Sequence, residues 1–97
     1  MKEQTVQVQN ITGIHARPAA RFVKLAAQFP CEVFLRKDFL TVNGKSILGV
    51  MSLAAEKGST LVVRTDGEKE QEALEDLVDL LNQIFIDEKN IEESTNE

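Results

Sequence analysis

Ninety-seven residues with 42% apolar content suit one compact domain built on a single core, and they exclude a second, catalytic domain. A net charge of −5 without any Trp or Tyr argues against nucleic-acid binding, which calls for a basic surface and stacking aromatics. The charge is uneven: residues 1–45 carry seven Lys or Arg against three acids, a net of +4, which leaves −9 for the remainder, so the basic half is matched to an acidic protein partner.

Thr5 to Gln9 alternates apolar and polar residues, the period of a strand with one buried face. Asn10 to Ile14, with Gly13, reads as a loop. Ala19, Phe22, Val23, Ala26 and Phe29 then recur at helical spacing, and Pro30 stops that helix. Val33 and Leu35, followed by the β-rich run Phe39 to Val42, predict a hairpin turning near Lys37-Asp38. Asn43-Gly44 marks a turn, and Ser46 is placed as N-cap of a short helix over Ile47, Leu48, Val50, Met51 and Leu53 that closes at Gly58. Thr60 to Thr65 has the β-branched content of a central strand. A last helix runs from about Glu70 to Phe85, its inward stripe made by Ala73, Leu74, Leu77, Val78, Leu81, Ile84 and Phe85.

The order is βαββαβα. It predicts an α+β open-faced sandwich: a four-stranded antiparallel sheet with three helices on one face and solvent on the other. The domain is expected to occupy residues 1–86. Residues 87–97 form an acidic C-terminal extension with Ile91 as its one large apolar side chain, too little to offset the entropy of ordering, so disorder is expected there. No apolar run approaches the roughly 20 residues of a bilayer span, and no signal-type stretch follows Met1, so a cytoplasmic location is expected. Cys31 is the sole cysteine and His15 the sole histidine. That leaves no intrachain disulfide, no thiolate cluster and no calcium-loop spacing, and neither a metal nor a cofactor is expected.

His15 falls where a loop becomes a helix. Backbone N–H groups lacking intrahelical partners, here those of Ala16 and Arg17, meet the positive end of the helix dipole at such a point and favour a bound phosphate. Pro18 fits, because a first-turn proline gives up an N–H that has no intrahelical partner. Arg17 brings a fork of donors suited to phosphoryl oxygens. Arg21 and Lys24 follow it at i+4 and i+7, extending a positive stripe along one helix face. These residues alone leave two readings open: a capping or surface histidine beside a solvated basic helix face, or an imidazole nucleophile that attacks a phosphoryl group.

Thr12-Gly13-Ile14-His15-Ala16-Arg17-Pro18-Ala19 closely resembles the active-site signature of the HPr family, the histidine-containing phosphocarriers of the phosphoenolpyruvate-dependent sugar phosphotransferase system. Asn43-Gly44-Lys45-Ser46-Ile47-Leu48-Gly49-Val50-Met51-Ser52-Leu53 resembles that family's regulatory-serine helix. The resemblance implies that His15 takes a phosphoryl group on Nδ1 from enzyme I and passes it to a sugar-specific enzyme IIA. It further implies that Arg17 stabilises the phosphoryl charge and that Ser46 is the site of an ATP-dependent HPr kinase/phosphorylase, with a transcription regulator as a further partner. Ala20, Arg21, Lys24, Ile47, Leu48 and Met51 are the expected docking residues, with Val50 and Leu53 turned inward. A monomer is expected, without nucleic acid or membrane insertion. Two departures stand out: Lys37-Asp38-Phe39 lacks the Asn-Gly turn frequent in relatives, and the acidic extension is an addition. The alternative is a mainly regulatory phosphoprotein that binds a kinase or transcription regulator. A self-contained enzyme is not expected, since the chain lacks a second catalytic base and a nucleotide loop.

Overall fold

The computed structural model describes the backbone of residues 1–9 and 13–95 and the side chains as far as Asp87. The loop residues Asn10, Ile11 and Thr12, and with them the start of the His15 signature, lie outside the described residues, as does the side chain of Ile91. Seven elements follow in order: β1 (Lys2–Gln7), α1 (Ala16–Ala26), β2 (Glu32–Lys37), β3 (Leu40–Asn43), α2 (Ile47–Ser52), β4 (Thr60–Asp66) and α3 (Glu70–Thr95). The strands form one sheet in the order β1-β4-β2-β3 with every neighbour antiparallel. This is the βαββαβα open-faced sandwich the pattern predicts.

Register explains which side chains meet the helices. Val6 faces Leu61 and Leu35 faces Val63 across the ladders, so the alternating residues Val6, Leu61, Val63, Val33 and Leu35 share one face and are buried. Ala19, Phe22 and Ala26 of α1, Val50 of α2, and Ala73, Leu77, Leu81, Ile84 and Phe85 of α3 close over them. Each fully buried Leu or Phe contributes about 1.5–3 kcal/mol relative to exposure, so the stripes visible in the sequence account for most of the packing. Thr65 is the one buried polar residue on this face among the described residues, and its Oγ1 donates to Glu70 O at 2.8 Å. Cys31 is a buried free thiol just ahead of β2. On the open face, the Arg64 guanidinium lies over the Phe34 ring, 4.6 Å from its centroid.

Three boundaries differ from the sequence reading. β1 begins at Lys2 rather than Thr5, because Lys2 and Glu3 pair with Thr65 and Arg64, and a backbone ladder does not require apolar alternation to continue. α2 ends at Ser52, well before Gly58, because Ala54 turns left-handed at φ +48° just beyond the Leu53 C-cap. α3 keeps helical backbone to Thr95, past both Phe85 and the Asp87 at which the extension begins. Glu88, Lys89, Glu92 and Glu93 favour helix there and neither Gly nor Pro interrupts it, so the backbone continues where the apolar stripe stops.

Candidate functional site

His15 is the N-cap of α1, with extended backbone at φ −109° and ψ −164° and an exposed side chain. Its carbonyl accepts the first helical bond, from Ala19 N at 2.9 Å, while the imidazole makes no capping bond to the helix. The first turn has no acidic residue, and Ala16 and Arg17 are both exposed beside His15. The positive end of α1 therefore favours an anion at the position of the imidazole. Ile14 and Ala19 flank this start and both belong to the core, an arrangement that fixes the angle at which the chain enters the helix.

The approach to His15 is clamped from the far side of the chain. Ile14 N donates to Ala55 O at 2.9 Å, and Gly13 adopts φ +63°, where a Cβ would lie 2.0 Å from that same carbonyl oxygen. Only glycine allows this close backbone approach. The receiving segment is itself held by Lys37, whose Nζ donates to Leu53 O at 3.1 Å and Ala54 O at 3.2 Å. None of this was legible beforehand. Ala54 and Ala55 carry no chemistry of their own, and a lysine at a strand end looks like any solvated charge.

Ser46 caps α2, as expected. Its Oγ accepts from Gly49 N at 3.1 Å, and Val50 N donates to Ser46 O at 2.9 Å. A Cβ at Gly49 would come within 3.3 Å of the Ser46 hydroxyl, so a small residue there leaves room around the serine oxygen. Lys45 Nζ reaches Phe29 O at 2.6 Å, tying the approach to α2 to the end of α1. Val50 and Leu53 are buried, whereas Ile47, Leu48 and Met51 are 41%, 77% and 39% exposed, so α2 presents three apolar side chains outward next to α1, on which it packs. Ala20 and Lys24 are exposed on α1 and Arg21 is half-buried. Arg21 is paired to Asp87 on α3 at 3.2 Å, a contact between two residues far apart in sequence.

The described residues contain no group of three or more His, Cys, Asp or Glu that could hold a metal, and no helix long and apolar enough to cross a membrane. Among the described residues, the one perturbed pair of titrating groups lies by the edge of the sheet. The Met1 ammonium lies 2.8 Å from Glu70 Oε2 and 3.7 Å from Asp66 Oδ1. Its hydrogen bond to Glu70 raises the ammonium, and the same bond, with Gly67 N, holds the Glu70 carboxyl below its ordinary range.

Fold and site together define a small α+β protein that presents one histidine at the positive end of a helix. Residues 2–83 match the family model described as the PTS HPr component phosphorylation site. The phosphocarrier protein HPr of Neisseria meningitidis serogroup A is 45% identical over 85 residues, which cover 88% of this chain and 96% of that one. The crystal structure of HPr from Thermoanaerobacter tengcongensis superimposes with a TM-score of 0.82 at 45% identity, over 88% of this chain and 96% of the other. A crystal structure of Crh, the Bacillus subtilis catabolite-repression protein seen there as a swapped dimer, matches with a TM-score of 0.69 at 48% identity, over 86% and 95% of the two chains. The chain belongs to the HPr family of phosphocarriers of the phosphotransferase system.

Proposed function

We propose that this protein relays a phosphoryl group from phosphorylated enzyme I to a sugar-specific enzyme IIA, carrying it on Nδ1 of His15. The exposed imidazole at the N-cap of α1, with no acid in the first turn, is the observation that carries this reading. As the P–N bond to His15 forms, the bond from phosphorus to the donor breaks. The second transfer reverses the roles, with neutral imidazole as leaving group. The N–H groups of Ala16 and Arg17 and the Arg17 guanidinium hold the phosphoryl oxygens. Ala20, Arg21 and Lys24 on α1, with Ile47, Leu48 and Met51 on α2, form the docking surface: a basic rim beside an apolar centre. The protein supplies no further catalysis, acts in the cytoplasm as a monomer, and folds its carrier domain from residues 1–86.

Incubation with enzyme I and labelled phosphoenolpyruvate tests this. The product is expected to be acid-labile and alkali-stable, as a phosphohistidine is. Absence of label, or label that survives His15→Ala, would overturn the assignment.

Ser46 is the proposed regulatory site for an HPr kinase/phosphorylase. A phosphate adds about −1.5 to −2 charges, repelling an acidic enzyme I from the neighbouring surface and slowing the relay. Label from ATP that persists in Ser46→Ala would place the modification elsewhere. Similarity to Crh supports a second reading, in which binding to a transcription regulator is the main output. Under that reading the His15 phosphoryl group forms but passes to no enzyme IIA.

A further inference from the structure

Arg21 belongs to the proposed docking stripe, yet it already has a partner within the chain. Its Nη1 lies 3.2 Å from Asp87 Oδ2, with the two side chains 39% and 40% exposed. The other carboxylate oxygen of Asp87 accepts from Gln83 Nε2 at 3.0 Å, one helical turn back, which aims the carboxylate at α1. The family match ends at residue 83, whereas α3 continues to Thr95. Beyond residue 83 the helix carries Asp87, Glu88, Glu92 and Glu93 against Lys89 alone. Asp87, on a helix of the same chain, thus sets a carboxylate on the basic face that an acidic partner would use.

We infer that Asp87 of α3 is a built-in competitor for the docking surface: its carboxylate occupies Arg21, and an incoming acidic protein must displace it. The inference rests on the carrier reading, since it requires such a partner to dock. Both side chains stay partly solvated, so the pair is weak enough to exchange within an encounter and Asp87 lowers affinity without blocking transfer. Its influence is electrostatic and fades as salt screens exposed charges.

The test compares full-length wild type, Asp87→Asn and Asp87→Glu as substrates of enzyme I, with initial rates of His15 labelling followed as a function of carrier concentration. Asp87→Asn is expected to lower KM about two- to five-fold at low ionic strength, the span that half-exposed ion pairs produce. Its kcat should be unchanged, and the difference should vanish near ~1 M salt. Asp87→Glu should keep the wild-type KM. An equal or higher KM for Asp87→Asn, alongside normal wild-type labelling, overturns the competitor and leaves the carrier reading standing. Wild type that takes no label overturns both.

Discussion

Replacing Gly13 by alanine probes the clamp that presents His15. At φ +63° a residue with a Cβ costs about 1–2 kcal/mol in the backbone alone. The new Cβ would also sit 2.0 Å from Ala55 O and 3.0 Å from Ala55 C and Glu56 Cα, all main-chain atoms that no rotamer change can move aside. The loop must lift, and the Ile14 N to Ala55 O bond is lost at about 0.5–1.5 kcal/mol. Together these give a destabilisation of about 2–3 kcal/mol. At about 4–8 °C per kcal/mol for a domain of this size, the melting temperature should fall by roughly 10–20 °C. Gly58→Ala is the internal control: Gly58 has φ +90° but nothing within 4 Å of its added Cβ, so only the backbone contribution applies. Melting followed by circular dichroism, paired with single-turnover labelling of His15, reads both stability and presentation. A Gly13→Ala protein that melts within about 2 °C of wild type, or no lower than Gly58→Ala, would refute the reasoning.

Ser46→Ala removes the α2 cap and should cost about 1 kcal/mol, lowering the melting temperature by about 4–8 °C, while Ser46→Asp, which can still accept from Gly49 N, stays near wild type; equal loss in both would show that the cap is not what matters. Ala54→Gly relieves a left-handed alanine. The gain of about 1–2 kcal/mol, less about 0.4–1 for the more flexible unfolded chain, should raise the melting temperature by a few degrees, and any fall contradicts the strain argument. The Met1–Glu70 pair contributes a pH dependence to stability. The lowered Glu70 carboxyl stabilises the fold fully above its ordinary 4.5 and loses that contribution as pH falls through the lowered value. The raised Met1 ammonium contributes fully below its ordinary 8.0 and loses it as pH rises through the raised value. Glu70→Gln should therefore flatten both ends of a melting-temperature profile against pH, and an unchanged profile would exclude the pair as a source.

Elements with a single apolar stripe were legible because burial alone dictates their spacing: α1 and the first part of α3 are where Phe22, Leu77 and Phe85 place them. Ser46 was legible too, since capping chemistry is local and marks the residue that performs it. What escaped was made by the main chain or by distant pairing. Ala55 contributes only a carbonyl oxygen, Lys37 reaches Leu53 sixteen positions away, and Asp87 meets Arg21 across a separation of 66. No local pattern encodes such contacts. The run of α3 beyond Phe85 escaped for a different reason: it has no apolar stripe to mark it, and helix propensity needs no burial to favour a backbone.

The strand order carries a consequence for how the chain is made. β4 is the last strand to leave the ribosome, yet it lies between β1 and β2. Until residues 60–66 emerge, β1 and the β2–β3 hairpin have no common neighbour, and Val6, Val8, Val33 and Leu35 have no finished sheet to belong to. A nascent chain or a fragment stopped before Thr60 is therefore not a smaller version of the protein but an unassembled one, with its sticky edges exposed. The closing step joins Val6 to Leu61, far apart along the chain, so folding is expected to be slow for its size and to finish only after β4 has emerged.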